Sequence, residues 1–581
     1  MGEIRPNHFH AGLDVLGDSR TPVYATYDGY IGRIKASTYG YGNVIYITHP
    51  TTNHITVYAH LSRFSSTIGQ YVRKKQYEAT SFEVDLYPQP QEVPIKKGQL
   101  LGYVGNTGAS FGAHLHYEIR NGNEAALNPL LFFENLVQDR LAPIIQNIGI
   151  VPLSPEARLS GKYQEQRYQA RKQGNNHYTI PTIQAYGAIG FELRTYDIAN
   201  QASNTYATTK ALIKVDGKTL FQYDINNYPM DEAYAMNAHI NYPFYKKTRL
   251  SYQKLYSTDG NYLDIYQHKN QGKLRVKAGQ LYDILIEAHD VHGNVSTVAF
   301  KVKGVAPPKA QFVPDYSPSL PRITPILHKE TLLFKVQGLR KLDQPLTAYF
   351  NGIQQPIPLA YMEKKQAVFL WDINQGLPDA VRVGEANLRL DKYRLIPSNT
   401  VYGYRDTFFN ILFANDALFD TTAMKIQANR YNLQIGEATT PLARSIEVIY
   451  HYKKAGLSFQ DRDRWAVYYQ SGRHLPTTWT DSTVTFQTRY LGNFKIRKDV
   501  TPPRIVLRSK STKRCSFSIA DGLAGIRHFK ATLDGRFILM QHESKANLIW
   551  TDPAYPQPLK GTFVLRVWDK MGNMAFYETQ L

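Results

Sequence analysis

The stretch "GAHLHYEIR", residues 112 to 120, decides the fold of the first part of the chain. Polar and apolar side chains alternate along it, which is typical of a β-strand with two different faces. Leu115 and Ile119 fall on one face, while His114 and His116 fall on the other. The pattern therefore predicts a strand with one apolar face and two imidazoles on the open polar face of a sheet.

Similar short strands are predicted on either side of this stretch. The segments "GNVIYITHP" and "HITVYAHLSRF" alternate in the same way, and "TYGYGN" has the composition of a hairpin turn. The polar, proline-containing residues 75 to 94 interrupt the pattern, so we predict an insertion or long loop there. The first part of the chain is thus predicted to be an antiparallel β domain.

Length and composition bound the rest of the chain. With 581 residues, the chain is too long for one hydrophobic core. Its 42 Tyr and 26 Phe, against 20% charged residues, favour a folded, mainly β protein. The formal net charge of +20 would attract anionic polymers, but the basic residues are dispersed and no nucleic-acid recognition motif is present. No segment is apolar enough for a transmembrane span, and the one cysteine, Cys515, is interpreted as a small buried side chain.

The tail after residue 137 contains turn motifs that are typical of β-sandwich modules. The segments "YDIANQASN", "HDVHGNVSTVAFKV" and "WDKMGNMAFYETQL" place Asp, and in the last two Gly-Asn, before an apolar strand. We interpret these as structural turns rather than calcium sites, because no dense set of acidic residues accompanies them. Proline pairs near residues 307 and 502 mark two joints between modules. The predicted units are residues 1–137, 138–304, 305–400, 401–498 and 499–581, the second and last of them immunoglobulin-like.

A possible metal site comes from residues that are far apart in the sequence. "HFHAGLD" supplies His10 and Asp14, and "YAHL" supplies His60, which shares strand phase with other polar residues. Hydrolytic zinc sites commonly combine three protein ligands with a water molecule. The inventory of His10, Asp14 and His116 fits such a site, with His60 and His114 beside it to move protons or to stabilise an oxyanion.

These motifs, in this order, resemble the lysostaphin/LytM-type zinc endopeptidases, which cut peptide cross-links of bacterial peptidoglycan. The resemblance covers roughly residues 1 to 135 and includes "YGNVIYITHP" and "IKKGQLLGYVGNTGASFGAHLHYEIR". It implies one Zn²⁺ per chain, bound by His10, Asp14 and His116, with His60 and His114 as catalytic histidines. His8 lies outside the pattern, and His49 and His54 are expected to be exposed polar residues.

The resemblance also implies a place of action. The insertion and the long tail are similar to versions of the family from Bacteroidetes-type Gram-negative bacteria. We therefore expect a cell-envelope protein, in the periplasm or at the outer membrane, whose signal sequence is not present in this chain. Its partners would be peptidoglycan or another peptide, with an envelope protein bound by the tail as a further candidate. The alternative function is an envelope scaffold or regulator with an occluded peptidase domain.

The insertion at residues 75 to 94 is the longest irregular segment near the predicted site. Loops around a rigid sheet commonly build binding sites. We therefore predict that it forms a wall of the substrate groove, with a lid over the groove as the alternative.

Overall fold

The computed structural model describes residues 1–5, 8–133, 139–200, 205–317, 320–470, 472–555 and 558–581. Strands dominate throughout these ranges, so the predicted mainly β class is confirmed. No helix within them is long and apolar enough to cross a membrane. Cys515 is buried in a strand, as predicted.

The first part of the chain is built on one large antiparallel sheet. Its hydrogen-bonded order is Pro94–Ile95, Gly29–Ala36, Val44–His49, His54–Ala59, His114–Asn121, Ala126–Leu127 and Asn227–Tyr228. Two further strands pair at its flanks, Leu13–Leu16 with His114–Asn121 and Val84–Leu86 with Gly29–Ala36. A small sheet of Pro22–Tyr24, Leu100–Tyr103 and Arg63–Phe64 and a hairpin of Ile4–Arg5 with His8–Phe9 complete the region.

The alternation in residues 112 to 120 is confirmed, but the polar face is not open. Leu115, Tyr117 and Ile119 join the apolar core of the sheet. Glu118 is fully buried on the opposite face, and Arg120 lies beside it. The reason is that the two side chains form an ion pair at 2.6 Å, which allows both charges to be buried.

Residues 66 to 94 contain regular structure rather than the predicted long loop. An α-helix runs over Ser66–Ala79, and short strands follow at Val84–Leu86 and Pro94–Ile95. Ile68, Val72 and Gln76 recur every four residues and form the buried face of the helix. Thr80 adopts a left-handed conformation and its N–H closes the last turn, which ends the helix.

The second region is one extended sheet of thirteen strands with short helical segments. Its strands are Ile144–Pro152, Arg158–Leu159, Gln166–Gln169, Arg171–Gly174, His177–Thr179, Ile183–Tyr196, Lys210–Val215, Lys218–Asp224, Gln253–Lys254, Tyr266–His268, Leu274–Val276, Leu281–His289 and Val295–Gly304. Its helices are Met236–His239 and Tyr242–Thr248, and 3₁₀ turns lie at Met230–Ala235 and Asn270–Gly272. Phe9 and Ala126 of the first region share its hydrophobic core.

The remaining regions are pairs of antiparallel sheets. The first pair contains Arg322–His328, Thr331–Gln337, Gln366–Asp372 and Leu359–Glu363, and Ile353–Ile357, Leu346–Phe350, Ala380–Val383 and Ala386–Arg389. The second contains Tyr393–Ile396, Thr422–Asn429, Asn432–Ile435, Gly492–Lys498, Trp465–Tyr469 and Arg473–Leu475, and Tyr402–Arg405, Phe409–Phe413, Ile446–Tyr450, Val484–Thr488 and Thr477–Trp479. The last contains Arg504–Lys510, Cys515–Ala520, Leu548–Thr551 and Met540–Glu543, and Arg536–Ile538, Ile526–Leu533, Thr562–Asp569 and Met574–Gln580. Short 3₁₀ turns lie at Pro129–Phe132, Ile373–Gln375 and Arg462–Arg464.

The domain boundaries stay predictions. The boundary between residues 137 and 138 lies outside the described residues. The strand Tyr393–Ile396 lies before the predicted boundary at residue 400 but pairs with Thr422–Asn429 after it. Placing this joint a few residues earlier would keep each sheet within one unit.

The two ends of the chain pack against each other. Phe82, from the insertion, is buried and belongs to the hydrophobic core of the C-terminal module, residues 499–581. Arg73 of the preceding helix donates a hydrogen bond to the buried Asp552 at 2.8 Å. The insertion therefore joins the first region to the C-terminal module.

Candidate metal centre and active site

The strands Leu13–Leu16 and His54–Ala59 both pair with His114–Asn121 and bring the candidate residues together. In the sheet register His116 lies directly opposite Asp14 on one side and Ala59 on the other. Opposite residues of an antiparallel pair project to the same face, so the Asp14 and His116 side chains meet. Gly12 permits this close approach, because a Cβ atom there would lie 2.2 Å from the carbonyl oxygen of Tyr117.

His10, Asp14 and His116 form a compact triangle of potential ligand atoms. His10 Nε2 lies 3.0 Å from Asp14 Oδ1 and 2.9 Å from His116 Nδ1. The third edge, from His116 Nδ1 to Asp14 Oδ1, is 3.1 Å. Both imidazoles are buried, while Asp14 keeps partial access to solvent.

Each of these three side chains is held from behind by a charged partner. The outer Nδ1–H of His10 donates to Glu3 Oε2 at 2.9 Å, and the outer Nε2–H of His116 donates to Glu118 Oε1 at 2.8 Å. Arg5 Nη2 donates to the second carboxylate oxygen of Asp14 at 2.8 Å. Such outer hydrogen bonds fix the tautomer and orientation of metal-binding histidines.

The local pKa values follow from these contacts. Burial lowers the pKa of His116, but hydrogen bonds to Asp14 and Glu118 outweigh burial and raise this pKa to about 9. Burial raises the pKa of Asp14, but hydrogen bonds with His10 and His116 hold it well below its usual range. Because a ligand imidazole must be neutral, metal binding here would release a proton.

The donor set fits a zinc ion. With the outer ring nitrogens donating to carboxylates, two imidazole lone pairs and one carboxylate oxygen converge on the same point. In a tetrahedral site with bonds of about 2.0–2.1 Å, neighbouring donors are about 3.3 Å apart. The observed edges of 2.9–3.1 Å need only a small expansion to reach that spacing. Two histidines, one carboxylate and an open fourth side are typical of hydrolytic zinc sites.

His60 and His114 lie next to the triangle in matching orientations. His60 Nδ1–H donates to the carbonyl of Thr107, and His114 Nδ1–H donates to the carbonyl of Gly112, each at 2.8 Å. Nε2 is therefore the lone-pair atom of each neutral ring. The two ring centroids are 4.9 Å apart, and His114 Nε2 lies 3.5 Å from Asp14 Oδ1. Burial lowers the pKa of His60 to about 4, so this imidazole is neutral at pH 7.

A cavity of about 620 Å³ opens over these residues. The loop that includes Phe111 forms one edge, and the Phe111 side chain is 93% exposed. Thr205 and Tyr206, from the second region, also line the cavity. The cavity is large enough for an extended peptide segment and combines apolar edges with a polar floor.

The structure brings together all five residues singled out in the sequence, His10, Asp14, His60, His114 and His116. Sequence reasoning missed the supporting roles of Glu3, Arg5 and Glu118, and it missed Tyr41, which stacks on His116 and donates to Glu118. The sequence could have indicated the role of Glu118, because it lies two residues after His116 and therefore on the same face of the strand. Tyr206 had none, since it comes from another region.

Two other expectations were wrong. His49 is buried rather than exposed, because its two ring nitrogens are satisfied by the Asp28 carbonyl and the Thr56 hydroxyl, each at 2.8 Å. The insertion at residues 75 to 94 is neither a wall of the groove nor a lid over it. None of its residues lines the cavity, because its buried Phe82 packs in the core of the C-terminal module and its buried Val84 packs in the core of the first region.

Comparisons with known proteins agree with the site. The sequence model of Peptidase family M23 matches residues 8–91 and 89–129. The DD-carboxypeptidase/endopeptidase Mpg of Neisseria meningitidis is 36% identical over 121 residues, which are 21% of this chain and 22% of Mpg. The peptidoglycan DD-endopeptidase ShyC of Vibrio cholerae is 32% identical over 109 residues, 19% of each chain.

The family match and these relatives cover about a fifth of this chain. Lysostaphin of Staphylococcus simulans is 30% identical over 129 residues, and the chain spans about a fifth of the length of these curated relatives. The solved catalytic domain of lysostaphin is 27% identical and covers 22% of this chain and 80% of its own, with a TM-score of 0.16. The family match contains all five site residues, so the N-terminal region of the chain is similar to peptidase family M23.

Proposed function

We propose that the protein is a zinc-dependent endopeptidase that hydrolyses peptide cross-links of peptidoglycan. One observation carries this proposal: the triangle of His10, Asp14 and His116 faces an open groove beside two further histidines. We assign one Zn²⁺ per chain to the triangle. A zinc ion held there would supply a nucleophile near neutral pH by lowering the pKa of a water molecule, and would polarise the peptide carbonyl.

The chain's own residues would handle the protons. The Nε2 atoms of His60 and His114 are free to accept a proton, because each Nδ1–H is already committed to a backbone carbonyl. A histidine protonated at Nε2 becomes a donor, either to the developing oxyanion or to the leaving nitrogen. Glu3, Arg5 and Glu118 hold the three ligands in place and prevent their rotation.

The substrate class is inferred from the groove and from the relatives. The printed names of Mpg and ShyC describe a DD-carboxypeptidase/endopeptidase and a peptidoglycan DD-endopeptidase. The net charge of +20 suits an anionic cell envelope, in the periplasm or at the outer membrane, where the β-rich tail would hold the enzyme against wall or partner. The alternative, an occluded scaffold, finds less support, because no described residue of the insertion enters the groove.

Digestion of purified peptidoglycan tests the proposal. The full chain with Zn²⁺ should release soluble peptides measurable by mass spectrometry, a chelator should stop their release, and added Zn²⁺ should restore it. Zinc content measured in the same samples separates the two candidates. A chain that holds zinc but releases no peptide from peptidoglycan or from isolated cross-linked peptides would be the occluded scaffold.

A further inference from the structure

One of the Asp-containing turns of the tail, with Asp290 and His292, meets a carboxylate from a distant segment. At the start of the second region, Asp139, Asp290 and His292 place ligand atoms within 4.8 Å of one another. Asp197 lines the same small cavity as Asp139 and His292, with a volume of about 20 Å³. A space of that size accommodates one ion or one water molecule. The acidic cluster that the sequence lacked locally is therefore assembled from distant segments.

Two polar atoms in this cluster have no hydrogen-bond partner. Asp197 is only 6% exposed, yet its Oδ1 atom is buried and unpaired, and so is Nε2 of His292. The imidazole of His292 lies 4.0 Å from Asp139. Among the described residues, no Lys or Arg side chain forms an ion pair with Asp139, Asp197 or Asp290. Buried carboxylates without a counter-charge are unfavourable, so a cation bound here would stabilise the cluster.

The C-terminal module repeats the arrangement and provides an internal comparison. There Asp499 and Asp569 correspond to Asp139 and Asp290, and Asp521 corresponds to Asp197; the three C-terminal carboxylates lie within 4.8 Å of one another, whereas in the first copy the group within that distance is Asp139, Asp290 and His292. The backbone is tied in the same way in both copies: Asn294 Nδ2 donates to the Asp139 carbonyl, and Asn573 Nδ2 donates to the Asp499 carbonyl, each at 3.2 Å.

The two copies differ in the hydrogen bonding of the third carboxylate, which is Asp197 in the first copy and Asp521 in the second. Asp521 Oδ2 accepts hydrogen bonds from the N–H groups of Leu523 and Gly525, so it is satisfied within its own turn. Asp197 Oδ1 has no such partner. A structural turn accounts for the C-terminal copy, whereas the first copy presents an unused oxygen to a cavity of ion size.

We propose that Asp139, Asp197 and Asp290 bind a divalent cation, with His292 as an additional donor. Carboxylate oxygens are the preferred ligands of hard cations, and Ca²⁺ tolerates the irregular geometry of such loops. The carboxylates occur in both copies while the position of His292 is Met571 in the second, so the oxygen donors define the site. The site is separate from the zinc triangle, and binding of the ion does not depend on the proposed hydrolytic function.

The position of the site gives the ion a specific role. The backbone N–H and C=O groups of Asp197 exchange hydrogen bonds with those of Tyr206, at 2.8 and 2.9 Å. Tyr206 lines both the small acidic cavity and the large groove beside His10 and Asp14. A cation bound by Asp197 therefore anchors the segment that forms one wall of the groove.

Calcium binding to the full chain tests the proposal, with Asp197→Asn as the key variant. Asn has the same shape, and replacing Oδ1 removes no hydrogen bond, so the variant should fold. Calorimetric titration with Ca²⁺ after chelator treatment should show one ion fewer in Asp197→Asn than in wild type. The matched control Asp521→Asn should keep that ion, and Asp14→Ala should lose zinc but keep it.

Thermal unfolding gives a second readout with opposite signs. In chelator, Asp197→Asn should be as stable as wild type or more stable, because a repelling charge is removed. In Ca²⁺, only proteins with an intact site should gain stability, so wild type should overtake the variant. Equal Ca²⁺ stoichiometry in wild type and Asp197→Asn, or no Ca²⁺-dependent shift in wild type, would overturn the proposal and leave a water-filled turn.

Discussion

The catalytic groove and the interface between the insertion and the C-terminal module lie on two sides of one loop, and Ala109 lines the cavity on each side. The groove floor is made of histidines and a carboxylate whose identities are fixed by chemistry. The interface cavity, of about 330 Å³, is bounded in part by Phe82 and Phe529, which contribute apolar packing. The groove depends on the chemical identity of its side chains, whereas the interface depends on how well its side chains pack.

This difference decides how the two regions respond to substitution. Removing a ligand or a proton carrier should abolish an activity while leaving the fold intact. Removing an interface side chain should loosen the packing between two regions while leaving the chemistry intact. The following predictions start with the largest expected effect on hydrolysis and end with the smallest.

Asp14→Ala should have the largest effect. It removes the only carboxylate of the triangle and leaves Arg5 without its partner. Zinc content should fall to near zero, and hydrolysis should fall to background. Metal analysis after dialysis checks the first result, and peptide release from peptidoglycan checks the second. Full zinc occupancy in this variant would remove Asp14 from the ligand set.

His60→Ala and His114→Ala should separate chemistry from metal binding. Neither ring belongs to the triangle, so zinc content should stay at the wild-type level. Loss of a proton carrier or oxyanion partner should lower kcat by about 10²–10⁴-fold. Kinetics on a soluble cross-linked peptide measure this loss. If either variant loses zinc, that histidine is a ligand and the division of roles is wrong.

Glu3→Ala should have a smaller, graded effect. Glu3 is not one of the three ligands, although it lines the groove, and it accepts the outer N–H of His10. Loss of such a partner commonly lowers metal affinity or activity by about 10–100-fold. Competition with a zinc chelator would measure the affinity, and excess Zn²⁺ should recover most of the hydrolysis. Glu92→Ala, an exposed carboxylate in the insertion, is the matched control and should behave like wild type.

The sequence predicted the groove well for a physical reason. Metal ligands cannot be exchanged freely, so His10, Asp14 and His116 stand out even though more than a hundred residues separate them. The two faces of the strand followed from alternation in a single stretch. The buried state of Glu118 and Arg120 did not, because it depends on an ion pair and on residues of another region that cover the same face.

The insertion shows where such reasoning ends. The helix Ser66–Ala79 extends into its first residues and was missed, because polar residues surround the four-residue period of Ile68, Val72 and Gln76. The module against which it packs lies more than 400 residues away in the sequence. The residues around Phe82 do not indicate whether this side chain lines the groove or packs at an interface. The acidic cluster around Asp197 was missed for the same reason, since its members are brought together only by the fold.

Phe82→Ala should have the smallest effect on hydrolysis and the clearest effect on the interface. The substitution leaves a hole between the insertion and the C-terminal module, and burial of a Phe side chain contributes about 3–5 kcal/mol to local packing. Cleavage of a small soluble peptide should stay within about twofold of wild type, because no insertion residue lines the groove. Limited proteolysis should cut faster near the "KDVTPPRIVL" joint, residues 498 to 507, as the module undocks. Phe576→Ala, an exposed aromatic of the same module, should leave both rates unchanged. A large drop in peptide cleavage by Phe82→Ala would return the insertion to the groove wall, and a large rise would make it a lid, so either result would erase the contrast between the two regions.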